Sequence, residues 1–206
     1  MLKKRYAIAM LLVACSVFMF TSCIEIVESL SYSNGQYNVS ARIMVQKKFM
    51  LMSEITPEYV QEILGTEDDG NVNITVIETE KESGVLVRNS IKPEATSDKK
   101  MSSLLPKRKS GFVHIPLLTA SAEEVDFSQD IETQMTAMFL DNAKYRILIG
   151  KNIVPSISVA LLTTEVPAVP EISVPVYDEG NMYCIEIPLL TVLERDVPFK
   201  SIKLIP

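Results

Sequence analysis

The sequence predicts an α+β domain, mostly antiparallel sheet with two helices, opening on a β-hairpin. Three observations carry that expectation. Alternating apolar and polar residues flank Asn34-Gly35 on both sides, the strongest short-range hairpin signal. Two later segments have helical periodicity and end signals. Seven of the eleven prolines then fall between Pro155 and Pro206, and strands there must be edges, short or bent, because proline cannot donate to a ladder.

In the first element Ile24, Ile26, Leu30 and Tyr32 alternate with polar residues, and Tyr37, Val39, Ala41, Ile43 and Val45 do so after the turn. A two-residue loop forces paired residue numbers to sum to 69. Tyr32 then faces Tyr37, Leu30 faces Val39, and Ile24 faces Val45, so apolar meets apolar on one face.

A helix is expected from Thr56 to Gly65. Thr56 suits the N-cap and Pro57 the first turn. Ile55 and Val60 stand at staple positions, Val60, Ile63 and Leu64 form the stripe, and Gly65 stops it. Val72–Ile77 and Val85–Ile91 read as strands joined through Ser83-Gly84. Lys92–Ser110 is polar and reads as a mobile loop. Phe112–Leu118 reads as a strand. Ser128–Lys144 reads as the second helix, with Ile131, Met135, Met138 and Phe139 on one side. Tyr145–Ile149, Ser156–Thr164, Ile172–Tyr177 and Met182–Leu193 complete the strands. The order is that of an α+β chain.

Ile115-Pro116-Leu117-Leu118-Thr119 recurs as Ile187-Pro188-Leu189-Leu190-Thr191. Five residues are a short echo, read here as shared strand chemistry rather than duplication.

The N-terminus has the layout of a secretory signal. Lys3, Lys4 and Arg5 precede an uncharged run from Tyr6 to Phe20, then Thr21 and Ser22. The run is short of the ~20 apolar residues that span a bilayer. Phe20-Thr21-Ser22-Cys23 resembles the lipobox of bacterial lipoproteins, the substrates of signal peptidase II, with Phe where that family usually has Leu. The resemblance covers only this segment. It implies cleavage before Cys23, a diacylglyceryl thioether on its sulfur, and anchoring in the bacterial cell envelope. Leu12-Val13-Ala14-Cys15 matches the lipobox letters more closely. Cleavage there would leave an apolar core of about eight residues, at the low end for a signal, and would expose Val17-Phe18-Met19-Phe20. Cys23 is therefore the expected lipidation site. A hairpin opening straight from that cysteine also resembles the LppM-type lipoproteins, which implies a domain that handles lipid.

Cleavage before Cys23 leaves 184 residues, expected to form a single domain over 23–206, with a subdivision allowed near 92–110. They carry 17 basic and 26 acidic residues, net −9. That balance speaks against nucleic acid as a partner. With Cys15 removed and Cys23 acylated, only Cys184 remains a thiol, so no disulfide framework forms. Cys184 lies in an apolar run and reads as a buried structural residue.

Catalytic signals are sparse. His114 is the one histidine and no sequence neighbour partners it. No phosphate loop, GxSxG elbow or HExxH is present. Glu67-Asp68-Asp69-Gly70-Asn71 is acidic and turn-like but lacks EF-hand spacing. No catalytic, cofactor or metal residues are assigned, and the chain reads as a non-enzyme.

Two features point at a membrane. Lys47-Lys48-Phe49-Met50-Leu51-Met52 lies beside the lipidated end by the hairpin register, and lysines interleaved with apolar residues suit a headgroup interface. The competing reading puts its apolar residues in the core. The basic run of Lys92, Lys99, Lys100, Lys107, Arg108 and Lys109, against Glu94 and Asp98, could touch anionic lipid. The expected function is a lipid-anchored envelope protein that binds an apolar ligand, or a partner protein, at the membrane surface. Met135, Met138 and Phe139 are the candidate pocket residues. A structural or assembly factor of the envelope is the alternative, and a hydrolase ranks behind both.

Overall fold

The computed structural model describes residues 24–48, 50, 72–93, 105–117, 143–164, 169–193 and 199–206. Strands β1 (Ile24–Ser33) and β2 (Gln36–Gln46) form the opening hairpin. They pair from Ile24↔Val45 to Ser33↔Gln36, the register expected from a two-residue loop. Asn34 and Gly35 have φ of 52° and 76°, the left-handed pair that a type I′ turn requires. Tyr32 and Tyr37 meet edge to face beside the turn, with centroids 4.9 Å apart.

Strands β3 (Val72–Glu78) and β4 (Glu82–Ile91) follow, and β4 pairs with both β3 and β2. The connection is Thr79–Lys81, not Ser83-Gly84 as the sequence suggested. Gly84 lies inside β4 opposite Met44. A Cβ there would meet the Ile43 carbonyl oxygen at 1.9 Å, so glycine marks a close backbone approach rather than a turn.

Strands β5 (Lys107–Lys109) and β6 (Phe112–Pro116) make a second tight hairpin. Part of the expected mobile loop is therefore a strand. Next come β7 (Lys144–Gly150), β8 (Val159–Thr164), β9 (Ile172–Val174), β10 (Val176–Glu179) and β11 (Met182–Pro188). Helix α1 (Leu189–Leu193) and β12 (Phe199–Ile205) close the described chain. The strand expected over Met182–Leu193 ends at Pro188, which has no N–H for another rung, and the chain turns into α1.

Two sheets result. The larger has order β10-β11-β7-β1-β2-β4-β3 and the smaller β5-β6-β12-β8-β9. Among the described strands only β1 and β7 pair in parallel. The segment expected as one strand over Ile172–Tyr177 is divided at Pro175, with β9 in one sheet and β10 in the other. The missing proline donor releases the chain from one ladder before it joins the next.

The α+β expectation with two helices is overturned. The described residues are mostly strand, in two sheets, with one short helix. The segments expected as helices, Thr56–Gly65 and Ser128–Lys144, lie outside the described residues except at the end of the second, where Lys144 opens β7. The physical reason lies in the core, where one sheet covers the other. Leu30, Ile147, Ile149, Ile185 and Ile187 of the larger sheet join Ile115, Leu162, Ile202 and Leu204 of the smaller in one buried cluster. Ile91, just before 92–110, and Leu105, inside it, both belong to it. Among the described residues one acid enters this interior. Glu28 of β1 is 3% exposed and accepts a hydrogen bond from the Tyr145 hydroxyl of β7.

The Ile-Pro-Leu echo has a structural counterpart. Each copy ends the second strand of a tight hairpin whose loop holds a positive-φ glycine, Gly111 or Gly180. Ile115 and Ile187 are both 1% exposed. After each proline, the leucine N–H bonds to the neighbouring strand, Leu117 to the Lys200 carbonyl at 3.0 Å and Leu189 to the Ala143 carbonyl at 2.8 Å. One local solution, a strand ended by proline with the next leucine in the core, is used once in each sheet.

Candidate functional site

The end of the larger sheet from which Cys23 precedes β1 gathers residues that are far apart in sequence. Ile24 pairs with Val45, and Gln46 pairs with Glu82 at the start of β4. The Lys47 N–H donates to the Lys81 carbonyl at 2.9 Å, adding one rung beyond the strands. The β3–β4 turn is clamped by Thr79. Its N–H donates to the Glu82 carbonyl at 2.8 Å, and its hydroxyl accepts from the Glu82 N–H at 2.9 Å. Side-chain bonds of this kind are what hold Thr in turns. Lys47, Lys48 and Lys81 thus stand together over a surface cleft of about 660 Å³, lined by Gln46, Lys47 and Lys48 on one side and Thr79–Glu82 on the other.

The cleft is mixed in charge. Lys47 Nζ lies 3.7 Å from Glu78, an exposed pair of the kind that contributes less than ~1 kcal/mol. Glu80 and Glu82 share the wall with Lys81. Such a cleft can offer ammonium donors to an anionic group, with carboxylates limiting how much negative charge it accepts.

The same end of the sheet carries a charge ladder across four strands. Arg42 of β2 bonds Glu25 of β1 at 3.1 Å, and Glu25 bonds Arg146 of β7 at 2.8 Å. Arg146 bonds Glu186 of β11 at 2.8 Å, and Glu186 also takes Lys144 at 3.1 Å. Burial works to raise the Glu186 carboxyl, but hydrogen bonds from Lys144 and Arg146 hold it below its ordinary value. The ladder ties the strands together and leaves no charge of its own idle.

Of the residues singled out from sequence, Lys47 is half-buried, Lys48 exposed and Met50 half-buried. Cys23, Phe49, Leu51 and Met52 lie outside the described residues, as do the candidate pocket residues Met135, Met138 and Phe139. Cys184 is 2% exposed, and burial, then the Glu179 and Glu186 carboxylates, pushes its thiol up to about 11. A thiol so placed is inert packing. His114 is half-buried in β6, with Nδ1 3.4 Å from the Ser201 hydroxyl. Burial, then Lys109, Lys203 and Lys107, hold its imidazole below the usual value, with Glu171 opposing.

Sequence reading missed Lys81. The signal was present: pairing β2 with β4 gives residue numbers that sum to 128, which sets Lys81 against Lys47. Placing the turn at Ser83-Gly84 hid it. No protein-family model matches the chain, and neither a curated protein nor a solved structure does.

Proposed function

We propose that this chain is a lipid-anchored protein of the bacterial envelope, acylated on Cys23, that binds an apolar ligand or a partner protein at the membrane surface without catalysing a reaction. The observation that carries the reading is the register of the first hairpin. It brings Lys47 and Lys48, with Lys81 from the neighbouring turn, to the end of the sheet adjoining Cys23. Lysines at that end suit the headgroup region beside an inserted acyl chain. The charged start, uncharged run and small residues before Cys23 supply the independent sequence support.

The test is metabolic labelling with palmitate in a bacterial host. The wild-type chain takes up label, and Cys23→Ala abolishes uptake and leaves the precursor unprocessed. Label that survives Cys23→Ala and disappears in Cys15→Ala refutes the assignment of the anchor. Native mass spectrometry of the purified protein separates the two binding modes, since an apolar ligand co-purifies as a defined mass and a partner protein does not.

A further inference from the structure

The face of the smaller sheet that points away from the core is an organised surface. Its rows follow from the strand registers. Lys109 of β5 faces Phe112 of β6, and continuing the β6–β12 register one residue past Leu204↔Val113 brings in Ile205, which pairs with Val159 of β8. In the next row Lys107 faces His114, then Lys203, then Leu161, then Ser173 of β9. Val159 is 37% exposed, and Phe112, Ile205 and Leu161 are half-buried. The ammonium groups of Lys109 and Lys203 lie 6.0 and 5.3 Å from the Phe112 ring centre. An apolar strip is thus interleaved with lysines on one sheet face, Lys107 and Lys109 from edge strand β5 and Lys203 from central strand β12, in a chain of net charge −6. Among the described residues the acid paired into it is Glu171, 3.1 Å from Lys203.

We infer that this face, centred on Phe112 and carrying Lys107, Lys109 and Lys203, seats the domain on an anionic lipid bilayer. Charge complementarity selects a negative partner. The apolar strip selects a bilayer over a hydrophilic polyanion, because a strip of aliphatic and aromatic side chains meets headgroup boundaries that a soluble chain lacks. Lysine stems lie along apolar surface while their heads reach phosphate. The sequence showed only a basic run. The structure adds Lys203, His114, Phe112, Ile205 and Val159 to it, and turns Arg108 to the other side, where its guanidinium bonds the Ile153 carbonyl. The inference rests on the anchor reading only for bringing the domain to a bilayer, and an anchored domain leaning onto this face engages the membrane through both.

The test uses the full chain reconstituted in vesicles of phosphatidylcholine alone or with phosphatidylglycerol, and measures amine acylation by a membrane-impermeant reagent with mass spectrometry. Acylation of Lys107, Lys109 and Lys203 falls about fivefold in the anionic vesicles, the factor expected for ~1 kcal/mol per surface lysine. Lys151, beyond β7 at the end of the larger sheet away from Cys23, serves as the reference and stays unchanged. Added salt restores the labelling, and Phe112→Ser weakens the protection. Equal labelling in both vesicle types overturns the inference. So does protection given by a soluble anionic polysaccharide in phosphatidylcholine but not by phosphatidylglycerol. Failure of the anchor reading is separate, since the chain would then not float with vesicles of phosphatidylcholine alone, where the lysine face has no anionic lipid to meet.

Discussion

Replacing Gly84 by alanine tests the packing of β2 against β4 directly. The added methyl would sit 1.9 Å from the Ile43 carbonyl oxygen and 2.9 Å from the Ile43 carbonyl carbon and Met44 Cα. All three atoms are backbone, so no rotamer change relieves the clash and the two strands must part. Overpacking of this kind costs about 1–3 kcal/mol. Losing the two nearest ladder bonds adds about 1 kcal/mol each, for a sum of roughly 3–5 kcal/mol. With a urea slope of about 2 kcal/mol/M, the unfolding midpoint falls by roughly 1.5–2.5 M. Gly35→Ala is the matched control. Nothing lies within 4 Å of its Cβ position and only φ of 76° opposes the change, which costs about 1–2 kcal/mol. Urea unfolding followed by far-ultraviolet circular dichroism reads both variants. A shift for Gly84→Ala no larger than that for Gly35→Ala would refute the close approach as the reason for glycine.

Three further outcomes are expected. The folded state holds His114 below its usual pKa, so as pH drops below about 6.5 the unfolded chain takes up the proton first. Stability present above that pH is lost as pH falls through the folded value, and His114→Asn lacks this component; parallel stability curves for the two chains from about pH 7.5 to 4.5 would sink the argument. Tyr145→Phe removes the hydroxyl that bonds the buried Glu28 carboxyl and lowers stability by about 1–3 kcal/mol, measured as a denaturation midpoint. Cys184, 2% exposed and with its thiol pushed up to about 11, stays unmodified by a maleimide in the native protein at neutral pH and reacts on unfolding; rapid native labelling would contradict its burial.

How much could be read from sequence depended on how local each feature is. The first hairpin was legible to the residue, because a two-residue Asn-Gly turn and a side-chain period of two leave one register. Most strand positions were legible from alternation. Ser83-Gly84 was misread because the same dipeptide serves a turn or a close approach within a strand, and only the facing Ile43 carbonyl distinguishes them. β12 was not recognised among the prolines that flank it, although it pairs with β6 on one side and β8 on the other.

The sequence by itself determined the local turns, the strand alternation, the charge balance and the candidate anchor. Each depends on residues within a few positions of one another. Tertiary structure decided the fold class, since sheet covering sheet in one core cannot be deduced from two amphipathic stretches. It decided the parallel pairing of Ile26 with Tyr145, and with it the meeting of Glu28 and Tyr145. It also decided both surfaces. Lys81 joins Lys47 through one backbone hydrogen bond, and Lys109, Phe112, Ile205 and Val159 form one row only because three strand pairings align them. Long-range registers are set by the simultaneous burial of many side chains, and no short window of sequence contains that sum.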